Sequence, residues 1–241
     1  WDLAVDPLGR PALKPFENIE KLCKGTSKIF HGISSDFGDK FDTMQKMGLL
    51  DLDSRLGKAP GGYQCGLEEY RLPFIFMNAV GTNSDLFTLL HEGGHSLHQF
   101  FMKGIHHTSY REIMAEIAEV ASMSMELLSM KHWDVFYDNK EDLKRAKQEQ
   151  LEKVLEGLPW IAAIDKFQHW IYTTDHTAKE RREQWLKISS QFGNQIIDWS
   201  GQEESLANQW QKQLHLYEVP FYYIEYGMAQ LGAIAMWRSY K

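Results

Sequence analysis

The 241-residue sequence predicts a mainly α fold carrying one small β-hairpin, on three observations. Capping signals and apolar residues at helical spacing run almost without a break from Thr82 to the C-terminus. Aromatic and β-branched residues of strand type concentrate at 63–65 and 70–77. A turn-rich stretch over residues 51–66, with Pro60-Gly61-Gly62 and Gly66, marks this region off from the helix expected before it.

Taken in order, residues 1–17 carry Pro7, Pro11 and Pro15 and cannot hold a continuous helix. They are expected to lie extended on the surface, within an N-terminal segment of residues 1–25. A helix follows over 27–49, then the turn-rich stretch and the two short strands. Thr82 or Ser84 caps a helix that runs to about residue 102, and Gly104 with His106 and His107 forms a loop. Ser109-Tyr110-Arg111-Glu112 reads as a capping box opening the next helix, which assigns Glu112 to capping and carries that helix to about residue 131. The pair over 82–131 is followed by helices over 140–155, 161–173, 181–192, 202–216 and 220–240. No internal repeat is visible, and the length suits one domain with an ample core over residues 1–241.

Hydrophobic residues make up 43% and charged residues 24%, an ordinary globular balance. No apolar run approaches the roughly 18 residues of a membrane span, and no charged-then-apolar leader opens the chain. A net charge of −7 argues against nucleic acid or an anionic membrane as partner. Lys144-Arg145 and Arg181-Arg182 are interleaved with acids and read as solvated helix faces. Cys23 and Cys65 supply no disulfide framework, which points to a reducing compartment and makes the cytoplasm the expected location.

The chemistry is carried by His91-Glu92-Gly93-Gly94-His95. On a helix, residues four apart share a face with Cβ atoms about 5–6 Å apart, so both rings reach one Zn²⁺ at about 2.0–2.1 Å. Glu92 then lies beside the open coordination position, where a carboxylate takes a proton from water as it attacks a carbonyl. The pattern implies metal-assisted hydrolysis of an amide. A solvated helix face is the bland alternative. It is opposed by the apolar flanks Leu86, Phe87, Leu89, Leu90, Leu97, Phe100 and Phe101, because burying an unpartnered His-Glu-His cluster is costly.

A third protein ligand is needed. The long H-E-x-x-H-x-x-G-x-x-H form requires Gly at 98 and His at 101, where this chain has His98 and Phe101. His98 lies about 10.5 Å along the axis from His91, too far to share an ion, and is read as an outer donor or a packed histidine. The next helix offers Glu112, Glu116, Glu119 and Glu126 on one face. If the two helices run antiparallel about a loop near His107, His95 is level with Glu119 and Glu116 sits about 4.5 Å nearer the loop; Glu119 is preferred and Glu116 is the runner-up. Gly93 and Gly94 each cost about 1 kcal/mol against alanine in a helix. Opposite them Ala118, Ala121 and Ser122 make a close approach possible, the alternative being that the glycines only bend the helix.

Several segments follow one another in an order shared with a known family. They are Trp1-Asp2-Leu3, Leu13-Lys14-Pro15-Phe16, Gly61-Gly62-Tyr63-Gln64-Cys65, Pro73-Phe74-Ile75-Phe76, residues 91–98, residues 115–126 and residues 220–227. The chain resembles oligoendopeptidase F and the related thimet oligopeptidases, zinc peptidases that cleave short peptides. The resemblance implies a zincin-type helical catalytic domain with a small β-hairpin or sheet beside the active-site helix. In that family the third ligand is a glutamate followed seven residues later by another, which matches Glu119 and makes Glu126 a group that orients a ligand.

The resemblance further implies that His215, Tyr222, Tyr223 and Tyr226 bind substrate and steady the tetrahedral intermediate. His215 and Tyr226 are favoured, because Phe221, Tyr222 and Tyr223 are consecutive and cannot all face one site. Residues 61–65 look like the strand by which the family holds a peptide backbone, an ordinary hairpin being the alternative. The expected assignment is therefore one Zn²⁺ per chain on His91, His95 and Glu119, with Glu92 as general base and an oligopeptide as substrate. Family members are longer, with an N-terminal helical region walling the substrate channel, so a missing N-terminal domain of the same protein is an expected partner. The rivals are a non-catalytic peptide-binding fragment that keeps the zinc scaffold and an all-helical interaction protein with an accidental motif.

Overall fold

The computed structural model describes residue 6, residues 8–193 and residues 196–240, so the segment Trp1-Asp2-Leu3 lies outside the described residues. The chain forms two compact units, one built on Arg10–Gln150 with the chain from Ala229, the other on Leu151–Met228. Helices dominate both.

In the first unit, α1 (Ile19–Ile33) and α2 (Ser35–Lys46) replace the single helix expected over 27–49. The break falls at Ser34, whose extended backbone ends one helix and starts the next. It allows the Phe30 and Phe41 rings to meet at 5.3 Å, both fully buried. Ahead of α1 the chain is non-helical, as its prolines require, but it is not a surface strap. Leu13 and Phe16 are buried in the main core, and α1 already begins inside the segment expected to be extended.

The sheet has three strands in the order β1-β3-β2, namely β1 (Leu50–Asp53), β2 (Tyr63–Leu67) and β3 (Leu72–Ala79). β2 and β3 form the expected hairpin, with Tyr63 opposite Phe76 and Gly66 opposite Pro73. Pro73 is tolerated in the central strand because pairing with β1 starts only at Ile75, so its missing N–H interrupts no ladder on that side. β1 was not expected from the sequence. Its four residues alternate Leu-Asp, and the buried Lys58 ammonium holds them by donating to the Asp51 and Asp53 carbonyls at 3.0 and 2.7 Å. A tertiary clamp thus supplies what local propensity does not.

Helix α3 (Asn83–Met102) starts at a capping box: Thr82 accepts from the Asp85 N–H, and Asp85 accepts from the N–H groups of Val80, Gly81 and Thr82. Helix α4 (Ala115–Ser129) begins later than the sequence suggested. Residues Thr108–Tyr110 form a 3-10 turn, and no side chain caps the Met114 position, so Glu112 is not the capping residue expected. The loop is held instead by Arg111, which donates to the Ile105 and His106 carbonyls and pairs with Glu68 at 2.6 Å.

The two glycines of α3 admit different neighbours. A Cβ on Gly94 would stand 2.6 Å from the Ser122 Cα and 2.7 Å from the Ala121 carbonyl oxygen, which is backbone of α4. A Cβ on Gly93 would meet the Phe30 ring of α1 at 2.5 Å, not the small residues of α4. Only Gly94 sets the α3–α4 approach.

Helix α5 (Lys140–Thr173), which belongs to the second unit from Leu151 on, is one helix through Pro159 where two were expected. The lost hydrogen bond and ring clash cost about 3 kcal/mol. Ile161, Ala163, Ile164 and Phe167 are all buried just beyond it, and full burial of one large apolar side chain contributes about 1.5–3 kcal/mol. Burial therefore outweighs the break. Helix α6 (Ala178–Phe192) opens on a Thr177–Glu180 capping box. The helix expected over 202–216 is instead α7 (Glu203–Ala207), a 3-10 turn at Gln209–Lys212 and α8 (His215–Glu218). The Trp185 indole N–H takes the Leu206 carbonyl at 2.9 Å, an acceptor a continuing helix would use. Helix α9 (Tyr223–Ser239) ends the described chain.

Gly94→Ala is expected to destabilise the protein by about 1–3 kcal/mol through forced separation of α3 and α4. Gly157→Ala on α5, where nothing lies within 4 Å of the new methyl, should stabilise by about 0.5–1 kcal/mol. Urea unfolding of both variants checks this, and a neutral Gly94→Ala would remove the close approach as the reason for that glycine.

Candidate metal centre

Helix α3 presents His91 and His95 one turn apart, with ring centroids 4.9 Å apart and the rings nearly perpendicular. From α4, the buried Glu119 places Oε2 at 3.3 Å from His91 Nε2 and 3.6 Å from His95 Nε2. One ligand atom from each of the three residues lies within 4.8 Å of the others. Around a tetrahedral zinc with bonds of about 2.0–2.1 Å, neighbouring donors stand roughly 3.3–3.4 Å apart. Two imidazole nitrogens, each close to this separation from one carboxylate oxygen, are a donor set that suits a divalent zinc-like ion. Glu116 and His98 are outside this group, although both lie nearby in sequence.

The donors are held from behind. His91 Nδ1 is 2.6 Å from Glu126 Oε1, and the other Glu126 oxygen accepts from the Gln150 amide at 2.7 Å. A carboxylate accepts only, so Nδ1 carries the proton in this bond, and when the ring gives up its second proton the lone pair appears on Nε2, facing Glu119. Ser122 donates to Glu119 Oε2 at 3.0 Å, fixing that carboxylate in turn. Gln150, on α5 and almost wholly buried, was missed by sequence reasoning, since its helix reads there as an ordinary solvated face. The 24 residues that separate it from Glu126 leave no spacing signal to find it by.

Charge within the cluster follows from this packing. Burial disfavours the His91 imidazolium, but hydrogen bonds to Glu119 and Glu126 override it and raise the ring well above its ordinary value. Burial likewise opposes ionisation of Glu119, and the two histidines overcome it, so the carboxyl is held below the usual range. Glu92 is different. It is buried, which raises its pKa, only partly offset by His91 and His95 and by a hydrogen bond from the Gln64 backbone on β2. His98 is lowered by burial and by His95, and its Nδ1 is buried without a hydrogen-bond partner. It lines a cleft of about 240 Å³ beside His95, together with Gln64 and Gly66 of β2, Gln99, Arg71 and Arg111.

The remaining sequence-predicted residues lie in the second unit. His215 on α8, Tyr222 just before α9, and Tyr223 and Tyr226 in its first turn form one aromatic cluster, with His215 5.0–6.0 Å from the three rings by centroid. The His215 Nε2 is 3.2 Å from the Tyr226 hydroxyl. Phe221 turns aside to pack on His169 and Tyr172. Gln213 and Trp160, which touch this cluster through hydrogen bonds, were not singled out by sequence.

Comparison with known proteins agrees in family and in fold. The model of peptidase family M3 matches residues 7–241. Oligopeptidase PepF of Bacillus subtilis (strain 168) is 31% identical over 144 residues, which are 56% of this chain and 21% of that protein. The chromosomal oligoendopeptidase F of Lactococcus lactis subsp. cremoris is 33% identical over 94 residues, 37% of this chain and 15% of that protein. The solved structure of PZ peptidase A with inhibitor 2 superposes over 97% of this chain at a TM-score of 0.87 and 32% identity, covering 41% of that chain. The fold is thus the mainly α, zincin-like arrangement with a three-stranded sheet, and the chain spans less than half the length of the proteins it matches. With the family model matched along nearly its whole length, the chain belongs to peptidase family M3.

Proposed function

We propose that this chain is catalytic machinery of a zinc-dependent metalloendopeptidase that hydrolyses oligopeptides. The observation that carries the reading is the convergence of His91 Nε2, His95 Nε2 and a Glu119 oxygen at zinc-ligand spacing, with Glu92 on the next position of the same helix. An ion held there supplies Lewis acidity toward a peptide carbonyl and lowers the pKa of a water molecule.

The chain's own residues do the rest. Glu92, with its proton affinity raised by burial, takes the proton of the attacking water and delivers it to the leaving amine. Glu126 and Gln150 hold His91 in the tautomer that presents Nε2. We assign stabilisation of the developing oxyanion to the cluster of His215, Tyr226 and Tyr222 or Tyr223, a role that rests on the family resemblance. The substrate class is taken from the relatives, whose names describe oligopeptidases and oligoendopeptidases. Among the described residues no helix is long and apolar enough to cross a membrane, and both cysteines are free; we place the protein in the cytoplasm.

Glu92→Gln should retain stoichiometric zinc while hydrolysis of a quenched short peptide falls by about 10²–10⁴-fold. Full turnover in that variant, or turnover indifferent to a chelator, would overturn the roles given to Glu92 and the ion, whereas no hydrolysis by the unmodified chain would leave the reading of a peptide-binding fragment. Glu119→Ala should lose the ion in metal analysis, whereas Glu116→Ala should keep it. Glu126→Ala is expected to weaken zinc affinity by about 10–100-fold without removing a direct ligand.

Binding of the ion must displace the proton that His91 keeps at neutral pH in the ion-free protein. Zinc affinity should therefore rise with pH across the neutral range. Calorimetry in buffers of different ionisation enthalpy should register about one proton released per ion, and no release would contradict the charge assigned to His91.

A further inference from the structure

Four residues of the second unit make a chain of hydrogen bonds in which each proton position follows from the one before. The Trp160 indole N–H stands 3.0 Å from Gln213 Oε1. Gln213 Nε2 is 2.6 Å from His215 Nδ1, and His215 Nε2 is 3.2 Å from the Tyr226 hydroxyl. An indole nitrogen can only donate, so it selects the oxygen end of the Gln213 amide. The amide NH₂ must then face His215, and since that group also only donates, His215 Nδ1 has to accept. The ring proton is left on Nε2, directed at Tyr226.

We propose that Gln213, oriented by Trp160, is a positioning residue that holds His215 as the Nε2–H tautomer so that it donates to the Tyr226 oxygen. The bond directs the phenolic proton of Tyr226 away from His215, and donation to the phenol oxygen strengthens that hydroxyl as a donor in its own right. His215 in this arrangement is a neutral donor rather than an imidazolium, because a second proton on Nδ1 would meet the amide NH₂ head-on. In this arrangement His215 serves the developing charge through Tyr226 rather than by donating to it directly. Its link to turnover rests on the peptidase reading above. The tautomer does not.

The parts that set the chain are themselves anchored. Trp160 packs edge-on against the fully buried Trp185 with ring centroids 5.6 Å apart, and the Lys212 ammonium covers its face at 4.9 Å. Gln213 sits in extended backbone between the 3-10 turn and α8, with its N–H tied to the Trp210 carbonyl at 3.1 Å. Its side chain is therefore presented from a fixed point, two residues before the histidine it orients. Sequence reasoning had no means of selecting it, because Gln213 lies 53 residues from Trp160 and inside a stretch that reads as plain helix.

The test is ¹⁵N NMR of histidine-labelled, zinc-loaded protein at neutral pH, together with steady-state hydrolysis of a short peptide. In the unmodified protein the His215 proton should be found on Nε2; a proton on Nδ1 overturns the proposal whatever the activity. Gln213→Glu is nearly isosteric and replaces a donor by an acceptor, so it should move a proton onto Nδ1 and lower kcat by at least about tenfold with little change in KM. Trp160→Phe leaves Gln213 in place but frees it to turn over, and should give a mixture of tautomers with a smaller loss of kcat. A purely structural role would alter the melting temperature of these variants and leave the tautomer where it was, which would also overturn the proposal. A moved proton with unchanged kcat would break the connection to catalysis. Failure of the peptidase reading is told apart by the unmodified protein, whose lack of peptide hydrolysis would sink that reading while leaving the His215 tautomer to be read by NMR.

Discussion

The close approach of α3 and α4 at Gly94 is the constraint on which the candidate metal centre depends. The two histidines share one helix face by periodicity alone, but the third donor comes from a separate helix and must arrive within about half an ångström to be useful. A side chain at position 94 would strike the backbone of Ser122 and Ala121, so only glycine lets Glu119 come within 3.3–3.6 Å of both imidazoles. The roughly 1 kcal/mol that glycine costs inside a helix is small beside the several kcal/mol at stake in ion binding. Gly93, its neighbour, answers to a different surface, accommodating Phe30 and so fixing α3 against α1.

Both chemically interesting histidines have their proton placed by a residue that never needs to touch a substrate. Glu126, which can only accept, keeps a proton on His91 Nδ1, so that Nε2 is the atom that yields its proton when a cation binds. Gln213, whose amide is turned by an indole that can only donate, does the reverse for His215 and leaves Nε2 as a donor. One ring is prepared to bind a cation and the other to give a hydrogen bond. The difference lies in the neighbours, not in the imidazoles. In each case the orienting residue is itself fixed by another, Gln150 for Glu126 and Trp160 for Gln213.

Electrostatics separate the carboxylates of the first unit in the same manner. Glu119 and Glu92 are both buried, yet they move in opposite directions, because Glu119 lies directly against two imidazoles while Glu92 feels burial first and those rings at a greater remove. The result is one acid suited to remain an anion and one suited to carry a proton for part of a cycle. β2 contributes here as well, its Gln64 N–H reaching the Glu92 carboxylate. The edge of the sheet thereby comes to α3.

Where interactions were local, the sequence was enough. The helical spacing of His91 and His95, the cap at Thr82, the hairpin over residues 63–77 and the mainly α class all follow from rules that act within a few residues. Even Glu119 could be favoured over Glu116 from the rise per residue of two antiparallel helices. Tertiary structure decided what depends on partners far away in the chain: the strand β1 held by Lys58, the unbroken α5 across Pro159, the division of residues 202–216, and the orienting pair Gln150 and Gln213. A buried amide or an added strand is selected by what surrounds it after folding, and a linear pattern records periodicity and caps but not that surrounding.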